Sequence, residues 1–282
     1  MSTDVSVFVV TGAARGLGLA AAKRLAKRGT VLLCDINAPL LEKETAQLRS
    51  EGLKVQSQVC DISDKASVEA LAAAAAALGK VRGLANFAGV TPTVPDWKKA
   101  VRVDLVGTRY VLDAFLPYME PGSAAVAIAS MAGHLSPRML DNILRDPLAE
   151  DLIEKLNAAI ISRVNPAQAP GTAYTLSKRG VLIMVELLAS TWGEHGCRIV
   201  SLSPGTCDTE DARQALANAD ESTLRAVRMV PVGKRLGRPE EIAAVVDFLL
   251  SDEASFISGT DIRVDGGIVA VMNKGIASTG TA

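Results

Sequence analysis

Two rhythms of apolar and polar residues alternate along this chain. Short apolar runs bounded by turn residues, beginning with VSVFVV at 5–10 and TVLLCD at 30–35, are separated by longer stretches with apolar residues at helical spacing, such as LGLAAAKRLAKRG at 17–29. This reads as strand, helix, strand, helix, the pattern of a parallel sheet with helices on both faces. Further runs follow at KVQSQVCD, VRGLANFAG, AAVAIAS, RIVSLSPG and DIRVDGG, which gives seven strands. Helices are predicted from about Pro39 to Gly52, from Lys65 to Leu78, around Asp96 to Tyr118, and over the stretch that holds Tyr174.

One segment breaks the rhythm. Residues 134–170 carry apolar residues at helical spacing from about Pro147 to Val164, with prolines at either end, and read as a helical insertion. Residues 206–230 mix helical and loop character, as expected of a lid over a binding site. The small, polar end, 273–282, is expected to be a flexible tail.

Composition narrows the class. A chain of 282 residues, 49% hydrophobic, fits one large α/β domain over 1–282 better than two small ones. Its net charge of -1 offers no basic excess for nucleic acid or anionic lipid, so the expected partner is a small molecule. The run LAAAAAALG is too short for a membrane span and no signal segment precedes the first strand, so the expected location is the cytoplasm. Cysteines 34, 60, 197 and 207 form no CxxC pair and the two histidines, 134 and 195, are far apart, so no metal site is expected. Cys34 and Cys60 read as small buried core residues.

Between the first strand and the first helix lies TGAARGLG, with Gly12, Gly16 and Gly18. Glycines in this GxxxGxG spacing let the main chain turn tightly and approach a diphosphate, whose charge meets amide N–H groups at the helix start. The second strand ends at Asp35, where a carboxylate can accept hydrogen bonds from an adenosine ribose and repel a 2′-phosphate; it also suits a turn before the Pro39 helix. NAD is therefore favoured over NADP, although Arg15 in the glycine loop offers a phosphate a partner.

In GTAYTLSKRG, Tyr174 and Lys178 stand four residues apart and so share one helical face. A lysine charge beside a phenol favours the phenolate, which suits proton exchange; the same spacing also occurs on ordinary solvated helices.

With the glycine loop, Asp35, NFAG at 86–89, Ser130 and Tyr174/Lys178 in this order, the chain resembles the short-chain dehydrogenase/reductase family over nearly its whole length. The resemblance implies a doubly wound Rossmann fold and an alcohol dehydrogenase or ketone reductase that transfers hydride to or from a nicotinamide. It implies that Tyr174 is the general acid/base, that Lys178 assists it and holds the nicotinamide ribose, and that Ser130 hydrogen-bonds the substrate oxygen. Cofactor contacts implied at matching positions are Gly12, Arg15, Gly16, Leu17, Gly18, Asp35, Ile36, Asp61, Ile62, Asn86, Ala88, Gly89, Pro204, Gly205, Thr206 and Thr209, besides Tyr174 and Lys178. A homodimer or homotetramer is likewise implied.

Asp104, in RVDLVGT, departs from the pattern, because the family usually has asparagine there to help hold a water near the lysine. Aspartate lacks the amide donor, so that relay is altered while the tyrosine chemistry is not. The insertion and the ending DGGIVAVM most resemble bacterial 3α-hydroxysteroid dehydrogenase/carbonyl reductase members, which makes hydroxysteroids and alicyclic or aryl alcohols the leading substrates. Met131, Leu135 and Met229 read either as substrate lining or as ordinary packing, and His134 as a surface or pocket-edge residue. The alternatives are an NADP-dependent carbonyl reductase using Arg15, or a cofactor-binding sensor without turnover.

Overall fold

A computed structural model of the chain describes residues 5–217 and 221–278. Strands β1 (Ser6–Thr11), β2 (Thr30–Asp35), β3 (Val55–Val59), β4 (Lys80–Asn86), β5 (Met119–Ile128), β6 (Arg198–Pro204) and β7 (Thr260–Val264) form one sheet, ordered β3-β2-β1-β4-β5-β6-β7. Every pairing is parallel. Parallel strands covered on both faces need apolar side chains on both, which is why Val7–Val10 and 124–128 are continuous apolar runs and are buried.

The helices are α1 (Gly16–Leu25), α2 (Ala38–Ser50), α3 (Lys65–Leu78), α4 (Trp97–Ala100), α5 (Thr108–Phe115), α6 (Asp141–Leu144), α7 (Leu152–Ala159), α8 (Ala169–Glu194), α9 (Glu210–Ala217), α10 (Glu221–Arg228), α11 (Pro239–Leu249) and α12 (Ile268–Ser278). One apolar layer is formed with α3, α5 and α8, through residues such as Leu71, Phe115 and Val181. The other is formed with α1, α2 and α11, through Leu25, Leu48 and Val246. Side-chain caps start the helices where the sequence offers them: Asn37 accepts from Leu40 N–H at 3.1 Å and Asp64 from Ala66 N–H at 3.0 Å.

Two helices differ from their predicted form. The stretch predicted as one helix around Asp96 to Tyr118 is α4 and α5 joined by a wide π-helical segment, Val101–Gly107. There the Thr108 hydroxyl donates to the Asp104 carbonyl at 2.8 Å, a side-chain bond that competes with the regular backbone ladder. Of the stretch predicted as helix from Pro147 to Val164, α-helix runs over Leu152–Ala159. The Asp146 side chain turns the chain at Leu148, and Ile160, at φ -146°, leaves the helical region. Leu140, Leu144, Leu152, Leu156 and Ile161 of the insertion are buried in the layer that contains α8. Each such side chain is worth about 1.5–3 kcal/mol of burial, so the insertion is packed onto the domain.

Strand order reverses between β1 and β4, and the crevice outside the carboxyl ends of strands at such a point is where ligands bind in doubly wound sheets. The loops after β1, β2, β4, β5 and β6 all open there. Of the lid expected over 206–230, residues 218–220 lie outside the described residues, as do 279–282 of the expected tail; 273–278 continue α12. Among the described residues no helix is long and apolar enough to cross a membrane.

Candidate active site

The glycine loop joins β1 to α1 at the switch point. Gly12 has φ +64°, and a Cβ there would come 2.8 Å from the Ala88 nitrogen; one on Gly18 would come 2.1 Å from the Gly12 carbonyl oxygen. Only glycine permits both the turn and this contact between loops. No side chain caps α1, whose N-cap is Arg15, so its first-turn amides keep their capacity for an anion. Leu17 is half-buried beside them.

Asp35, at the end of β2, is a turn carboxylate with both oxygens engaged. One oxygen accepts from Asn37 N–H at 3.0 Å, as a turn carboxylate, and the other reaches Ala14 N–H of the glycine loop at 3.1 Å. A carboxylate has about four acceptor sites, so two remain for a ligand hydroxyl. Ile36 follows it, exposed. Asp61 accepts from both Ser63 N–H (2.8 Å) and the Ser63 hydroxyl (2.7 Å), and Ile62 is buried beside it.

Asn86 is buried at the centre of a network that sequence reasoning did not reach. The Thr11 hydroxyl donates to Asn86 Oδ1 at 2.5 Å and accepts from Ala88 N–H at 3.1 Å; Asn86 Nδ2 donates to the Thr108 hydroxyl at 3.1 Å. Through the Thr108 bond to the Asp104 carbonyl, this chain ties the glycine loop to the π-helical segment. Thr11 directly precedes Gly12 in TGAARGLG, and its position was the available signal.

Tyr174 and Lys178 project from one face of α8. Lys178 is buried, its ammonium lies 5.6 Å from the centre of the Tyr174 ring, and it donates to the Ile128 carbonyl at 3.2 Å. Asp104 Oδ1 stands 3.9 Å from the same ammonium and accepts from Val90 N–H at 2.8 Å. Burial pushes the Asp104 carboxyl up, against the pull of the Lys178 charge and the Val90 amide. Among the described residues, Asp104 Oδ2 and Ser136 Oγ are the buried side-chain polar atoms without a partner. Ser130, two residues beyond Ile128, is buried, and its hydroxyl oxygen accepts from Ala132 N–H at 3.2 Å, so it also caps the short helix Met131–Leu135.

The segment after β6 meets the glycine loop. Arg15 is ion-paired to Asp211 of α9 at 3.1 Å, and a Cβ at Gly16 would touch Thr209 Cγ2 at 3.5 Å. The Thr209 hydroxyl accepts from Ala212 N–H at the start of α9. Pro204 ends β6, Gly205 N–H donates to the Val264 carbonyl at 3.0 Å, and Thr206 is exposed. Gly89 is exposed beside Asp104. Leu135 and Met229 are exposed and Met131 half-buried. Cys34 and Cys60 lie in the core; the Cys34 thiol hydrogen-bonds Cys60 and brings it down to about 7. Among the described residues no group of three or more His, Cys, Asp or Glu side chains could hold a metal ion.

Comparison with known proteins agrees with this geometry. The family described as short chain dehydrogenase matches residues 6–140, and the one described as Enoyl-(Acyl carrier protein) reductase matches 154–269. The chain is 33% identical to a D-threitol dehydrogenase of Mycolicibacterium smegmatis, covering 94% of this chain and 93% of that one. It is 31% identical to the 3-alpha-hydroxysteroid dehydrogenase/carbonyl reductase of Comamonas testosteroni, covering 95% and 98%. In fold it is similar to a solved short-chain type dehydrogenase/reductase from Mycobacterium ulcerans, with TM-score 0.76 at 24% identity over 96% of this chain and 92% of that one.

Proposed function

The chain belongs to the short-chain dehydrogenase/reductase family, an oxidoreductase acting on alcohols or ketones, and from that premise we propose that it is an NAD(H)-dependent enzyme interconverting an apolar secondary alcohol and its ketone. The observation that carries this reading is the Tyr174 and Lys178 pair on one face of α8, with the ammonium buried and aimed at the end of β5.

A dinucleotide fits the residues present: the glycine loop brings uncapped helix amides to the crevice, and Asp35 offers carboxylate acceptors at its edge. When bound, NAD(H) supplies the hydride acceptor or donor. Tyr174 takes or gives the proton at the substrate oxygen, and Lys178 steadies the phenolate by its charge. The Ser130 hydroxyl orients that oxygen. Two features support NAD over NADP: the carboxylate of Asp35, and Arg15, whose charge is already met by Asp211. By analogy with its relatives, a hydroxysteroid or alicyclic alcohol is the first substrate to try, and a polyol the second.

Absorbance of the reduced nicotinamide, with NAD and then NADP, over hydroxysteroids, alicyclic alcohols, aryl alcohols and polyols tests the reading. Turnover with NAD on one class, lost in Tyr174→Phe, supports it; cofactor binding with no turnover on any class counts against it.

A further inference from the structure

The short helix Met131–Leu135 begins at Ser130 and is too short to hold its own shape, so outside contacts must fix it. Three do. At its start, the Ser130 hydroxyl oxygen accepts from Ala132 N–H and the Ser130 carbonyl from Gly133 N–H at 3.0 Å. In its middle, Gly133 lies flat on α8, where a Cβ would come 2.8 Å from the Lys178 carbonyl carbon.

Its end is held by a polar cluster. His134 Nε2 lies 2.9 Å from Asp261 Oδ2 of β7 and 3.2 Å from the Ser203 hydroxyl of β6. The other Asp261 oxygen accepts from the hydroxyls of Ser201 (2.8 Å) and Ser203 (2.9 Å), both fully buried, and Ser201 and Asp261 are register partners in the sheet. Ser203 has one proton, which goes to Asp261, so the proton between His134 and the carboxylate sits on Nε2. Asp261 and Ser203 approach the same ring nitrogen, so this is not a nucleophile, base and acid in line. It is a clamp, with the carboxylate oxygens met by three donors.

We propose that His134 is a positioning residue: clamped to Asp261, it fixes the helix that starts at Ser130 and thereby the direction of the Ser130 hydroxyl. The inference rests on the reading of Ser130 as the residue that orients the substrate oxygen. A small displacement of such a group costs rate with little effect on cofactor binding.

The test measures kcat, KM and cofactor Kd for His134→Ala, His134→Gln and Asp261→Asn, with Ser130→Ala and the double variant His134→Ala/Ser130→Ala. Expected is a fall in kcat of about tenfold for His134→Ala, with cofactor Kd unchanged. Glutamine, whose amide can donate to Asp261, restores most of it, and Asp261→Asn reproduces the loss. On the Ser130→Ala background, loss of His134 adds little, because both act through one group. A full tenfold further loss on that background overturns the proposal, as does an unchanged kcat in His134→Ala. Amide hydrogen exchange over 131–135 gives a second readout independent of turnover: it quickens in His134→Ala and recovers in His134→Gln, and unaltered exchange overturns the clamp. Turnover that survives Tyr174→Phe overturns the dehydrogenase reading alone.

Discussion

Asp104 Oδ1 stands 3.9 Å from Lys178 Nζ, and the carboxylate is completely buried with its second oxygen unpartnered. An isolated pair in this setting gains attraction but carries the desolvation of both groups. The upward push on Asp104 says that desolvation wins on the carboxylate side.

Asp104→Asn is therefore expected to stabilise the protein at neutral pH. A carboxyl whose folded value lies above its unfolded one contributes stability at acid pH, and loses it as the pH rises through the folded value. Replacing it removes that pH-dependent loss, so the Tm of the variant at neutral pH should lie above that of the wild type. The gap should close as the pH falls to the ordinary carboxylate range. Thermal unfolding of both proteins across that range decides it; a less stable variant at neutral pH would mean that attraction to Lys178 outweighs burial.

Tyr174→Phe is expected to lower turnover by about 10²-fold or more while leaving the cofactor Kd close to wild type, since general acid–base catalysis is lost without altering the cleft. Steady-state rates and cofactor titration by protein fluorescence measure the two effects separately. A variant that keeps its rate would place the proton transfer on another group.

Asp35→Ala is expected to raise the NADP-to-NAD ratio of kcat/KM at least about tenfold, the equivalent of about 1.4 kcal/mol. On the proposed NAD(H) reading, removing the carboxylate removes both the ribose acceptor and the like charge that would face a 2′-phosphate. Adding Asp211→Asn, which releases Arg15 from its 3.1 Å ion pair, should move the ratio further in the same direction. A ratio that does not move would take cofactor selection away from Asp35.

The insertion is tied to α8 by a two-pronged pair, Arg179 Nε to Asp141 Oδ1 at 2.9 Å and Nη2 to Oδ2 at 2.6 Å. Hydrogen bonding from Arg179 holds the Asp141 carboxyl below its usual range. This contribution is complete above the unfolded carboxyl value and lost as the pH falls through the folded one. Asp141→Asn should cost about 1 kcal/mol, discounted because both groups are partly exposed. Limited proteolysis within 145–165 should quicken in the variant; unchanged cleavage would assign the anchoring to the leucines.

Much of this was legible in the sequence, for physical reasons. Central strands such as β1 and β5 announce themselves because a sheet buried on both faces needs unbroken apolar runs, the edge strands β3 (VQSQV) and β7 (TDIRV) are marked more by their place in the alternation, and Lys65–Leu78 keeps helical spacing between an aspartate cap and a glycine. Tyr174 and Lys178 are readable because one turn fixes their relation. The π-helical turn at Asp104 was not, since apolar spacing over 96–118 is the same whether one hydrogen bond skips a residue or not. Nor were Thr11, Thr108 and the His134 clamp, whose partners lie as far as 127 residues away. Such pairs exist only once the sheet has brought their strands together. The turn-carboxylate and ribose readings of Asp35 could not be separated by sequence, and the fold gives it a hand in both the turn and the glycine loop.

Lys178 is held by a carbonyl, that of Ile128, and not by any side chain of β5. The identity of residue 128 is thus uncoupled from the lysine it anchors: a change there alters packing volume but leaves the oxygen in place. Apolar replacements of similar volume would be tolerated at this core position even though the atom it supplies is part of the site.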